Sequence, residues 1–271
     1  MKKIRIFFIL IGVGFIFFLY STQVLRFSVK VNETLITHQT IPNTFEGVRI
    51  IQFSDLLLSN KRDLRILENA VNSINRLKPD IVVFTGNLFS EETNPNTFNT
   101  EVTELLSKIN ANLGKVASLG HSDLSRSDSV TQILSNASFN VLRNDSMELF
   151  NGSNEGIGFI GIDSLTSNPN LDSILSSHSH SNKFDVLLLS EPSLASISLS
   201  HPVELQLSGY CRGVSLSLGE AADDSCKQFY QGTYRFADQF LLNVNTGLNR
   251  PNHPFTLLNR PTIDSFLLIN E

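Results

Sequence analysis

Apolar residues recur along this chain at two spacings, and each change of spacing marks a change of element. The runs Val48 to Phe53, Ile81 to Phe84, Lys115 to Leu119, Ile157 to Ile162 and Phe184 to Leu189 have the length and β-branched or aromatic content of buried strands. Between the first two stand Leu64, Leu67, Val71, Ile74 and Leu77 at helical spacing, with Ser59-Asn60 as the capping pair and Pro79 as the stop. Val102, Leu105, Leu106 and Ile109 predict a second helix with Gly114 at its C-cap, and a third is expected around Val130 to Leu134. Strand, helix, strand read repeatedly in this way is the sequence form of a right-handed parallel crossover.

Upstream, Phe27 to Ile36 alternates as a half-buried strand does. Downstream, short strands are expected at Phe139 to Leu142, Met147 to Phe150, Val203 to Gly209, Gly232 to Phe236, Phe240 to Val244 and Ile263 to Ile269. The Ser- and Asn-rich segment Asp163 to Lys183 reads as a mobile loop with at most a short helix near Leu171 to Leu175. There is no internal repeat and no clean linker. The pattern predicts an α/β body, helix-rich first and strand-rich later, spanning 26–271 as one domain behind a separate segment at 1–25.

That leading segment carries Lys2, Lys3 and Arg5, then an apolar run from Ile6 to Tyr20 broken only by Gly12 and Gly14. Its length suits a short membrane span or the core of a signal peptide. Ser21-Thr22-Gln23 makes a poor cleavage site, so an uncleaved single-pass anchor is expected, with a cleaved signal and a soluble core helix as the alternatives. Basic residues ahead of the span place the body outside the cytoplasm, so the lipid bilayer is the first expected partner. A formal net charge of -5 without a basic stripe excludes a nucleic-acid footprint. Two cysteines, Cys211 and Cys226, either pair across a short loop or stand as unrelated buried thiols.

Chemistry concentrates where apolar runs stop. Val48 to Leu57 ends its strand core at Asp55, and an acid at the carboxyl end of a buried strand is a position where α/β proteins keep function. Five such ends follow in order: Asp55-Leu-Leu57, Gly86-Asn87, Gly120-His-Ser-Asp123, Ser190-Glu-Pro192 and Gly209-Tyr-Cys-Arg-Gly213. Their order and spacing resemble the calcineurin-like metallophosphoesterases, especially the membrane-anchored bacterial branch. That family shows Asp-x-His, Gly-Asp, Gly-Asn-His-Asp, His-Glu-Pro and Gly-His-x-His-Gly. Lys78 to Gly86, Leu188 to Pro192 and Asn243 to Leu248 match its scaffold as well. The resemblance runs from about Phe27 onward and implies a four-layer α/β sandwich of two mixed β-sheets flanked by helices, behind one N-terminal transmembrane helix. It also implies two divalent metals such as Mn, Fe or Zn, a water activated between them, and phosphoester hydrolysis.

Position by position the resemblance keeps Asp55 and Asp123 and departs elsewhere. Leu57 takes the place of the first histidine, Asn87 that of the bridging aspartate, and His121 that of the asparagine. Ser122 replaces the histidine that protonates the leaving group, Ser190 the histidine before Glu-Pro, and Tyr210 and Arg212 the last two histidines. Amides and hydroxyls are weak ligands, and a guanidinium about 4 Å from a divalent ion costs roughly 8 kcal/mol at an effective dielectric near 20. No bound metal is therefore expected, and no catalytic set is intact. The resemblance places Asp55 and Arg212 around one vacated metal, so the two are expected to pair, unless Arg212 turns to solvent. The first functional reading is a pseudoenzyme that binds a phosphate-bearing ligand through Arg212, His121 and Asn87, or an envelope protein through its surface. The second is a one-metal phosphoesterase using Asp55, His121 and either His178 or His180. His178 and His180 otherwise read as a solvated loop pair, His38, His201 and His253 as exposed, and Glu191 as the cap of the helix after it.

Overall fold

A computed structural model describes residues 2–213, 224–236, 240–250 and 260–271. It opens on helix α1 (Lys2–Gln23), followed by β1 (Lys30–Thr37), β2 (Arg49–Phe53), α2 (Leu64–Arg76), β3 (Ile81–Thr85), α3 (Asn99–Ser107) and β4 (Gly114–Ser118). Next come α4 (Ser127–Asn136), β5 (Asn140–Val141), β6 (Asp145–Phe150), β7 (Gly156–Ile162), α5 (Leu171–His178) and β8 (Asp185–Leu189). The chain closes with α6 (Ala195–Ser198), β9 (Leu205–Ser208), β10 (Gly232–Phe236), β11 (Phe240–Val244) and β12 (Thr262–Ile269).

Two mixed six-stranded sheets result. The first runs β1-β12-β2-β3-β4-β5 and the second β10-β11-β9-β8-β7-β6. In the first, β2, β3, β4 and β5 are parallel, while β12 lies antiparallel to β2 and parallel to β1. In the second, β7, β8, β9 and β11 are parallel, with β6 and β10 antiparallel at the edges.

The two-residue side-chain period of a strand sends neighbours to opposite faces, and here it feeds separate cores. Ile50, Ile81, Val83 and Val116 face Phe159, Val186, Leu188 and Leu207 between the sheets. Ile51, Phe53, Val82 and Phe84 face the other way, onto Ile66, Leu67, Val71 and Ile74 of α2 and Val102 and Leu106 of α3. Leu187, Leu189, Leu242 and Val244 form a third layer with Leu175 of α5 and Ala195 of α6. Helix, sheet, sheet, helix is the four-layer arrangement expected. Each fully buried phenylalanine among these, such as Phe53, Phe84 and Phe159, contributes about 2 to 3 kcal/mol by leaving water.

Several local expectations need correction. Phe27 is not in a strand but in a short 3-10 turn, Leu25–Phe27, because its ring is taken up by arginines and by the core under α2. Gly114 begins β4 rather than capping α3, whose last carbonyls are met by Lys108. The Ser-rich segment contains a full helix, α5, with the Asn170 side chain accepting from the Ser173 N–H as its cap. Of the two alternatives for the cysteines, the paired one is found: Cys211 and Cys226 form a disulfide. The residue His253 lies outside the described residues.

Helix α1 is long and apolar enough to cross a membrane. Its last turn is not free: Ser21 and Thr22 are buried, and Arg62 donates to Gln23 Oε1 at 2.7 Å.

Candidate functional site

Four strand ends of the two parallel cores open on one cleft. The loops after β2, β3, β4 and β9 bring Asp55, Leu57, Asn87, His121, Ser122, Tyr210 and Arg212 to the wall of a cavity of about 480 Å³, with Glu91 and Glu92 at its rim. Ser190, after β8, is buried beneath Asn87, and Asp123 is buried behind it. The sequence-derived positions therefore converge, and the backbone explains how. Asp55, Leu57, Asn87, Tyr210 and Arg212 all have φ between 39° and 67°. Left-handed backbone costs a non-glycine residue about 1 to 2 kcal/mol, so each must be held by its neighbours. Leu57, for example, donates its N–H to the Asn87 carbonyl at 3.0 Å and accepts from Asn249 Nδ2 at 3.3 Å.

Asp55 is fully buried and spends its acceptors within the protein. Oδ1 accepts from Asn87 Nδ2 at 2.9 Å; Oδ2 accepts from the Tyr210 N–H at 2.9 Å and from Ser54 Oγ at 2.5 Å. Ser54 Oγ also lies 3.0 Å from Asn245 Oδ1, but its single proton is nearer to Asp55 Oδ2. Gly209 is obligatory here, since a Cβ on it would stand 2.5 Å from Ser54 Oγ and 2.6 Å from Asp55 Oδ2. Burial pushes the Asp55 carboxyl above its ordinary range, while Ser54, the charge of Arg212, Asn87 and the Tyr210 N–H pull it back.

Asn87 joins the loops. Its Nδ2 also reaches Ser190 Oγ at 3.3 Å, and its Oδ1 accepts from the N–H and the hydroxyl of Ser122, both at 3.0 Å. Behind it, Asp123 accepts backbone N–H groups of Asn87, Leu88 and Gly120 at 2.6 to 2.9 Å. Burial lifts Asp123 to about 6, against those three donors. Its place is structural, as a clamp between two loops.

The expected ion pair between Asp55 and Arg212 does not form: among the described residues no bridge within 4 Å joins them, and Arg212 is exposed. The reason is local, because donors closer in sequence and backbone fill both carboxylate oxygens before a guanidinium can reach them. Arg212 instead acts on Asp55 through its charge. A second guanidinium, unforeseen from the sequence, lies near enough for the charges of Arg212 and Asp55 to act on it. Arg250 is held down to about 10 by burial and by the like charge of Arg212, while Asp55 opposes the shift. It arrives because the Leu248 and Asn249 N–H groups pair with the Ser54 and Asp55 carbonyls, a contact between segments far apart in the chain. The run Asn243 to Leu248 signalled that loop, but nothing marked the arginine after it.

Of the remaining candidates only His121 lines the cleft. His121 is half-exposed, with Nδ1 3.1 Å from Thr166 Oγ1 and Nε2 3.2 Å from Glu91. His178 binds Ser146 Oγ at 2.8 Å, and His180 lies 3.6 Å from Asp185; neither lines the cavity, so the third ligand of a one-metal site is not brought there. His201 pairs with Asp172 at 2.9 Å and His38 is half-buried beside Phe184, both contrary to simple exposure. Glu191 leaves the following turn uncapped and instead accepts from Ser164 Oγ and the Leu165 N–H, because the loop after β7 offers its donors first.

This donor set does not fit a pair of divalent cations. A leucine side chain, an amide, two hydroxyls, a phenol and a guanidinium stand where anionic or imidazole ligands are needed, and the one central carboxylate is already satisfied. Among the described residues no group of three or more His, Cys, Asp or Glu is placed to hold a metal ion.

No family model matches the chain. The uncharacterised metallophosphoesterase YkuE of Bacillus subtilis (strain 168) is 32% identical over 250 residues, covering 89% of this chain and 85% of that protein. Among solved structures, TT1561 of Thermus thermophilus superposes with a TM-score of 0.50 at 11% identity, covering 74% of this chain and 90% of that one. A 5'-nucleotidase precursor from the same organism gives 0.48 at 10% identity over 82% of this chain, which spans 54% of it.

Proposed function

The chain belongs to the metallophosphoesterase family, and from that premise we propose that it acts as a membrane-anchored binding protein, without phosphoester hydrolysis. The observation that carries this reading is the closed account of Asp55, whose oxygens are met by Ser54, Asn87 and the Tyr210 N–H. Where two carboxylates would need a cation between them, a carboxylate and an amide need none. Positive charge is supplied instead by Arg212 at the wall of the cleft, with the buried Arg250 close enough to feel it, and the cleft takes a phosphate-bearing ligand with His121 and the Asn87 loop as further donors. The anchor is α1, with Lys2, Lys3 and Arg5 on the cytoplasmic side and residues 26–271 outside. A disulfide between Cys211 and Cys226 supports an oxidising compartment for that body.

The purified full chain tests this directly. Elemental analysis is expected to find less than about a tenth of an equivalent of transition metal. A chromogenic phosphodiester is expected to show no hydrolysis that rises with Mn²⁺ and falls with EDTA. Inorganic phosphate titrated calorimetrically should bind the native chain and bind Arg212→Ala at least about tenfold more weakly. Stoichiometric metal with Mn²⁺-dependent turnover would establish an enzyme instead. Phosphate binding unchanged in Arg212→Ala would remove the ligand reading and leave a partner protein.

A further inference from the structure

The join between α1 and the body carries an arrangement that the cleft does not use. Phe27, buried at the foot of the helix, is surrounded by three guanidinium groups: Arg65 at 4.6 Å from its ring centroid, Arg62 at 5.7 Å and Arg26 at 6.0 Å. Arg260, anchored on Ser28 Oγ at 2.6 Å, and Lys30 extend this collar toward β1. The acids nearby neutralise only part of it. Asp63 is wholly buried and takes Arg26 at 3.2 Å, and Glu101 takes Lys61 at 2.7 Å. Glu68, one turn from Arg65, makes no ion pair with it among the described residues. Arg62 and Arg65 are exposed, and no described carboxylate lies within 4 Å of either.

The height of this collar follows from helix length. The 22 residues of α1 rise about 33 Å, close to the roughly 30 Å hydrocarbon thickness of a bilayer. Gln23, which accepts from Arg62, is therefore at the headgroup level when the helix spans. Ser21 and Thr22 in the last turn of α1 are buried, and only the short turn Leu25–Phe27 stands between that helix and β1.

We propose that Arg62 and Arg65, stacked on Phe27 beside the Arg26–Asp63 pair, form a docking surface for anionic phospholipid headgroups in the leaflet that faces the body. The inference rests on α1 as a membrane anchor and is independent of what the cleft binds. Guanidinium groups suit phosphodiester oxygens by their fork of donors, and stacking on Phe27 fixes their planes beforehand. The surface holds the body at a set orientation on the bilayer, which a single helix cannot do alone.

The test uses the full chain reconstituted in phosphatidylcholine vesicles containing a minor share of phosphatidylglycerol. An alkaline carbonate wash is followed by mild extraction and native mass spectrometry of retained lipid. The native chain should stay in the bilayer and retain phosphatidylglycerol well above its bulk share. The double variant R62Q/R65Q should lose about 25-fold of that preference, at roughly fivefold per arginine. R62K/R65K should keep most of it, and R76Q/K108Q, at the C-terminal ends of α2 and α3, should keep all of it. Release by carbonate would overturn anchor and collar together. Retention in the bilayer without a phosphatidylglycerol preference, or with the same preference in R62Q/R65Q, would overturn the collar alone.

Discussion

At the scale of single residues, Asn87 decides how the cleft is held. One amide donates to Asp55 and Ser190 and accepts twice from Ser122, so four strand ends are tied through one side chain. Asn87→Asp would set a second carboxylate oxygen 2.9 Å from Asp55 Oδ1 in a buried place. It is expected to lose roughly 3 kcal/mol at pH 7.5, and less at pH 5, where one proton can be shared by the pair. Urea unfolding at the two pH values checks this; an unchanged midpoint at pH 7.5 would count against it. Asp55, Asn87 and the substituted ligand positions were legible because each ends an apolar run and matches a motif. Arg250 was not, since its place depends on backbone pairing between residues 54–55 and 248–249, which leaves no pattern within either segment.

At the scale of elements, the link between Cys211 and Cys226 fastens the loop after β9 that carries Tyr210 and Arg212. Closing a loop of 15 residues restricts the unfolded chain, and C211S/C226S is expected to lower stability by about 3 kcal/mol. Denaturant titration of the double variant measures it, and phosphate binding should weaken alongside because the Tyr210 N–H loses its fixed distance from Asp55. Strands β2, β3, β7 and β8 were readable to within a residue or two, as their burial is two-sided and their runs unbroken. The boundary near Phe27 was missed because an apolar residue in an alternating stretch looks the same whether it faces a sheet neighbour or three arginines.

For the whole molecule, buried acids set the response to pH. Burial raises Asp123 to about 6 and Glu204 to about 7, and Asp55, Asp185, Glu191 and Asp264 move the same way. A carboxyl whose folded value exceeds its unfolded one binds its proton more tightly when folded. Stability is then greatest below about 4 on this account and is lost as pH rises through the interval up to 6 or 7. The chain is therefore expected to unfold at higher urea at pH 5 than at pH 7.5, and Glu204→Gln should flatten the difference; a steeper or reversed dependence would refute the assignment. Fold class was legible from the strand and helix alternation, whereas the order of strands was not. Nothing in residues 262–269 announces that β12 sits between β1 and β2. That insertion reaches back to synthesis. Until residues 262–269 have been made, β1 has no neighbour in its sheet, and the partners Asn32 and Asp264 are 232 positions apart. A nascent chain thus waits with an open strand edge, and a ribosome stalled before Thr262 would leave that edge available to other chains.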